Sequence, residues 1–116
     1  MITIIAGSRG INDYNALLQA VLDAPFDITE VVSGGARGVD KLGERLTREY
    51  DLPLKIFPAN WEMHQKRAGM LRNEQMSEYA EALILIWDGV SKGSKHMLSV
   101  AKRGGLKIHI HIVEEK

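Results

Sequence analysis

The sequence predicts an α/β fold, a single domain built on an open, mostly parallel five-stranded sheet with helices on both faces. Three observations carry that expectation. Apolar runs of about five to seven residues, several rich in β-branched side chains, recur at residues 2–6, 29–33, 53–57, 82–87 and 107–113. Helix-period segments lie between them, the order produced by right-handed strand–helix–strand crossovers. The length, 116 residues, suits one hydrophobic core and is too short for two.

The elements follow in order. The first run passes straight into Gly7-Ser8-Arg9-Gly10, a turn. Asp13 is suited to cap a first helix, whose apolar stripe is Tyr14, Leu17, Leu18, Val21 and Leu22. The second run enters a glycine cluster at Gly34, Gly35 and Gly38. Val39, Leu42, Leu46 and Tyr50 then mark a second helix. The first three runs are nearly continuous in apolar character, as strands covered on both faces are. Residues 58–64, which include Trp61, form an irregular stretch before a third helix expected over residues 65–79. A fourth helix is expected over residues 94–103, ending at Gly104-Gly105. In the last run His109 and His111 alternate with isoleucines and so share one face. An open-faced strand explains them better than a metal pair, because no further histidine or carboxylate stands nearby at ligand spacing. No repeat, linker or low-complexity tract interrupts the pattern.

Composition narrows the function classes. With 15 basic and 15 acidic residues the formal charge is zero, so the broad basic field of a duplex-DNA binder is absent and a nucleic-acid partner is disfavoured. The absence of cysteine removes disulfides, thiolate metal sites and a cysteine nucleophile. The opening residues do not form a signal peptide, and no apolar run approaches the roughly 20 residues of a membrane span. A cytoplasmic protein with no membrane partner is expected, with no metal and no cofactor.

In an open parallel sheet, ligands bind beyond the carboxyl ends of the strands, near the point where strand order reverses. The loops after the first four strands are therefore read together. Gly34, Gly35 and Gly38, with Ser33 and Ala36, form a candidate phosphate loop leading into a helix start. The spacing matches neither a dinucleotide fingerprint nor a P-loop. Gly7, Ser8 and Arg9 follow the first strand, and the guanidinium of Arg9 could fork a phosphate. Asp40 could hold ribose hydroxyls or act as a first-turn acid of the second helix. Lys66, Arg72 and Asn73 bring charge and polarity to the third helix, where Gly69 leaves room for a close approach. Trp61 could stack on a base or cap the core. Gly93 and Ser94 begin the fourth helix and offer a second place for an anion. No hydrolase elbow or zinc-protease motif is present, and the residues alone name no catalytic group.

Three motifs together resemble the YspA/YpsA-related branch of the SLOG superfamily: G-S-R at Gly7 to Arg9, S-G-G-A-x-G-x-D at Ser33 to Asp40, and W-x4-K-x-A-G-x-x-R-N-x-x-M at Trp61 to Met76. The resemblance spans nearly the whole chain. It implies a Rossmann-like fold that binds nucleotides or nucleotide-derived ligands. The LOG enzymes of the superfamily, which cleave the N-glycosidic bond of nucleoside monophosphates, are similar in plan. Their R-K-x-x-M motif resembles residues 72–76, which implies that Arg72 faces the ligand. Their P-G-G-x-G-T-x-x-E loop resembles residues 88–97, with Gly93 at the last glycine, Ser94 at the threonine and Met97 at the catalytic glutamate. A thioether cannot transfer a proton, so the resemblance carries the pocket and not that chemistry.

The leading expectation is thus a binder of a phosphorylated nucleotide derivative, acting as a sensor or sequestering protein. The alternative is a phosphoribohydrolase drawing its carboxylate from Asp40, Glu62, Glu74 or Asp88; a third is single-stranded DNA binding. A homo-oligomer, most simply a dimer, is also expected, because Met63, Met70, Leu71, Met76 and Tyr79 spread over more than one stripe of the third helix and Met97 and Leu98 extend the apolar surface.

Overall fold

The computed structural model describes residues 1–114, apart from the side chain of Lys66. The chain forms β1 (Ile2–Gly7), α1 (Tyr14–Asp23), β2 (Glu30–Ser33), α2 (Val39–Tyr50), β3 (Leu54–Ile56), α3 (Trp61–His64), a 3-10 turn (Gln65–Arg67), α4 (Ala68–Tyr79), β4 (Ala82–Trp87), α5 (Lys92–Arg103) and β5 (Lys107–Ile112). The strands lie in the order β3-β2-β1-β4-β5, and every neighbouring pair is parallel. This is the α/β sheet the sequence predicts. Strand order reverses between β1 and β4.

The two-residue alternation of β1 feeds both layers. Ile4 and Ala6, with Val32, Leu83 and Leu85, pack against Met76 of α4 and Met97, Val100 and Ala101 of α5. Ile5, with Val31, Ile84 and Ile86, packs against Leu17 and Ala20 of α1 and Val39 and Leu46 of α2. Each fully buried aliphatic side chain contributes roughly 1.5–3 kcal/mol, so the central strands anchor the fold and the loops at their ends inherit a rigid base.

Four local expectations need correction. The third strand reads as covered, yet Leu54, Lys55 and Ile56 are all exposed. It pairs with β2 alone, and its three residues form a short edge of the kind that discourages strand addition. The helix expected over residues 65–79 is broken: α3 already starts at Trp61, capped by Asn60 Oδ1, which accepts from the Met63 N–H at 3.1 Å. Gln65 then adopts φ 50° and ψ −124°, far from helical values, so α4 starts afresh at Ala68. α5 starts at Lys92, two residues before the expected start, leaving Ser94 inside its first turn. In β5 the more exposed side is that of Ile110 and Ile112, while His109 and His111 are half-buried. Among the described residues, no three His, Asp or Glu side chains form a metal-ligating group, and no helix is long and apolar enough to cross a membrane.

Candidate functional site

Ser8 ties three loops into one framework. Just before it, β1 approaches β4 so closely that a Cβ on Gly7 would lie 1.9 Å from the Ile86 carbonyl oxygen. The buried Ser8 then donates its N–H to Ile86 O at 3.1 Å, and its carbonyl accepts from Ile11 N–H at 3.3 Å and Val39 N–H at 3.4 Å. Its hydroxyl accepts from the Asp88 N–H at 3.0 Å and lies 3.1 Å from Ser91 Oγ. One residue after β1 thus fixes the start of α2 and the loop after β4.

The glycine loop is built by close approach. A Cβ on Gly38 would sit 2.5 Å from both the Ser8 and Arg9 carbonyl oxygens, and the residue has φ +73°. A Cβ on Gly34 would sit 2.5 Å from Arg72 Nη1 and 2.9 Å from Asp40 Oδ2. Ser33 is buried: its hydroxyl reaches Glu44 Oε2 at 3.0 Å and accepts from the Gly35 N–H at 3.1 Å. The Ala36 N–H donates to Asp40 Oδ2 at 3.1 Å.

Arg72 crosses from α4 to this loop. Its Nη1 donates to the Gly34 carbonyl at 2.8 Å and its Nε to Asn73 Oδ1 at 3.2 Å. Asn73 Nδ2 lies 3.1 Å from His96 Nδ1. With Asn73 Oδ1 already accepting, the amide donates, which assigns His96 the tautomer with a bare Nδ1. Burial raises the Asp40 carboxyl above its ordinary pKa, against the Ala36 N–H and the Arg72 charge, which lower it. Burial also lowers the pKa of Arg72, with Asp40 opposing. Asp88 is held below the ordinary carboxylate range because it accepts from the Val90 and Ser91 N–H groups, at 2.9 and 2.8 Å.

These elements enclose a cleft with two lobes. The first, of about 520 Å³, is lined by Ala6, Gly7, Ser8, Arg9, Gly10, Ala36, Asp40, Arg72, Asn73, Met76, Asp88, Ser91, Gly93 and Ser94. It lies where strand order reverses, between the starts of α2 and α5. The second, of about 430 Å³, is lined by Arg9, Gly34, Gly35, Ala36, Arg37, Lys41, Ile56, Pro58, Ala59, Trp61 and Arg72. Arg9, Ala36 and Arg72 belong to both, so they form the wall between the lobes.

The structure therefore brings most sequence-predicted residues to one place. Gly7, Ser8, Asp40, Asn73, Gly93 and Ser94 meet in the first lobe, Gly34, Gly35 and Trp61 in the second, and Arg9, Ala36 and Arg72 between them. Ser33 and Gly38 line neither lobe and shape the loop from behind. The Lys66 side chain lies outside the described residues. Trp61 is half exposed, and its ring runs past Gly69, where an added Cβ would lie 3.6 Å from Cη2. Of the four candidate carboxylates, Asp40 and Asp88 face the first lobe, while Glu62 and Glu74 line neither. Met97 is packed in the core at 1% exposure. Sequence reasoning missed His96 and Glu44, whose partners Asn73 and Ser33 are 23 and 11 residues away and belong to other elements.

Fold and cleft together define a doubly wound α/β domain with an open pocket, carrying both charged and apolar side chains, at its switch point. The chain is 31% identical to the Gene 61 protein of Mycobacterium phage D29 over 115 aligned residues, covering 90% of this chain and 91% of that protein. It belongs to the family of that phage protein. No described protein-family profile matches the chain, and no solved structure matches it.

Proposed function

We propose that the cleft binds a nucleotide or nucleotide-derived phosphorylated ligand, in a sensing or sequestering role. The observation that carries this reading is the placement of Arg72. It is half-buried, fixed by Gly34 and Asn73 on the wall between the lobes, with Arg9 on the same wall and two helix starts facing the first lobe. A positioned guanidinium among backbone donors suits a phosphate, and the hydroxyls of Ser91 and Ser94 with the carboxylate of Asp40 suit a sugar. The SLOG resemblance points the same way. A second reading, a phosphoribohydrolase, is favoured by one feature: Asp40 is a buried carboxyl with a raised pKa, the kind of group that can donate a proton. Against it, Met97 stands at the LOG glutamate position and lies in the core. The protein is also read as a two-fold dimer formed through the exposed apolar side chains around α3 and α4.

Titration calorimetry with AMP tests the main reading. Arg72→Ala is expected to weaken binding about ten-fold or more, the order of one lost charge-assisted hydrogen bond. Equal affinity of the variant and parent would remove Arg72 from the site. Incubating the parent protein with AMP and following free base by chromatography tests the enzymatic reading. Little or no release is expected, and turnover near or above about 1 per second would establish catalysis instead.

A further inference from the structure

We propose that the second lobe is a subsite for a further phosphate, so that the ligand carries a diphosphate, as a nucleoside diphosphate or a diphosphate-bridged nucleotide does. This inference rests on the nucleotide reading above and extends it to ligand class. The charge distribution across the wall carries it. The first lobe mixes two arginines with two carboxylates, Asp40 and Asp88. The second is lined by four cations, Arg9, Arg37, Lys41 and Arg72, and among the described residues no carboxylate lines it. In a chain of zero formal charge, such a one-signed recess is a local departure from balance, and it attracts anions over the distance that salt leaves unscreened.

The cations are suited to an arriving anion. Arg37 is exposed. Lys41 pairs with Glu44 at 3.4 Å across one turn of α2, but its side chain is 61% exposed and free to pivot. Glu44 is buried and also accepts from the Ser33 hydroxyl at 3.0 Å, so only the Lys41 end of this long contact is open to exchange for a phosphate. The shared wall supplies continuity: a phosphate held by Arg72 and Arg9 at the boundary has one neighbour position in each lobe. Each lobe alone, at about 520 and 430 Å³, is large enough to take part of a small-molecule ligand, and the ranges usual for such pockets are about 300–1,000 Å³. Trp61 and Ile56 give the outer part of the second lobe an apolar surface on which a planar ring can lie.

Inorganic phosphate and pyrophosphate test the subsite without assuming a base, and AMP and ADP test it in the nucleotide. Calorimetry on the parent is expected to give pyrophosphate and ADP at least about ten-fold tighter than phosphate and AMP. In the double variant Arg37→Ala/Lys41→Ala the preference is expected to fall to within about three-fold. In Lys102→Ala/Arg103→Ala, which removes the same charge from the far end of α5, it is expected to persist. Circular dichroism would confirm that both variants are folded. Equal affinities for one and two phosphates in the parent, or a preference that survives in the Arg37/Lys41 variant, would overturn the subsite while leaving the single-phosphate reading standing. Loss of the preference in both variants alike would also overturn it, reducing the effect to net charge. If none of the four probes bound the parent, both readings would fall.

Discussion

Asp40 holds a carboxylate where little water reaches it, and its surroundings pull in two directions. Burial favours the neutral acid, while the Ala36 N–H and Arg72 favour the anion, and burial prevails. A carboxyl whose folded pKa lies above its unfolded value, about 3.9, binds its proton more tightly in the folded state. Its contribution to stability is complete below the unfolded value and is lost as pH rises through the folded one. Asp40→Asn keeps an oxygen for the Ala36 N–H and removes the titration. The difference in melting temperature between variant and parent is therefore expected to be constant below about pH 3 and to shift in favour of the variant as pH rises toward 7. A melting difference that stays constant across this range would show that Asp40 titrates as it does in the unfolded chain. At this scale the sequence reveals residue types but not their partners. The three loop glycines are legible as a tight strand-to-helix turn. That Gly34 makes room for Arg72 is not, because the two are 38 positions apart.

Elements are legible to the degree that their signals are local. Asp13 is recognisable as a cap because what it caps follows immediately: its Oδ1 accepts from the Asn15 N–H at 3.0 Å and the Ala16 N–H at 3.3 Å. Asp13→Ala is expected to cost about 1 kcal/mol, and a urea midpoint lowered with unchanged slope would report it. Asp13→Ser should restore most of the loss, and an alanine variant as stable as the parent would deny the cap any weight. The break between α3 and α4 has no comparable signal. Gln65 carries a positive φ that glycine or asparagine would have advertised, so the sequence reads as one continuous helix. β3 misleads for a related reason. Its composition is that of a covered strand, and only the strand order shows that it lies at the edge.

For the whole molecule, the proposed dimer rests on fewer residues than the sequence implies. Met76 and Met97 are core residues, and Leu98 packs partly against the same core. What remains outside is Met63 at 73% and Trp61 at 51% exposure on α3, and Met70 at 50% and Tyr79 at 39% on α4. Exposed apolar side chains on these helices suit a partner surface, and closed two-fold pairing is the commonest way to cover one. Light scattering above micromolar concentration is expected to give about twice the 12.9 kDa of the chain. Met63→Glu/Met70→Glu is expected to give a single chain mass, and a monomeric parent would refute the pairing.

The position of β1 at the middle of the sheet also has a consequence in time. Its partner on one side, β2, follows within about one helix, but on the other side Thr3 pairs with Ala82. At a ribosomal rate of roughly 5–20 residues per second, that partner emerges roughly 4–16 seconds later. Through that interval Ile4 and Ile5 belong to a strand with one unpaired edge, and the layer that α5 contributes has not yet been made. A central, deeply buried strand of the finished protein is thus among the longest exposed segments of the nascent one. A chain stalled before β4 would present a sticky apolar edge to whatever surrounds it.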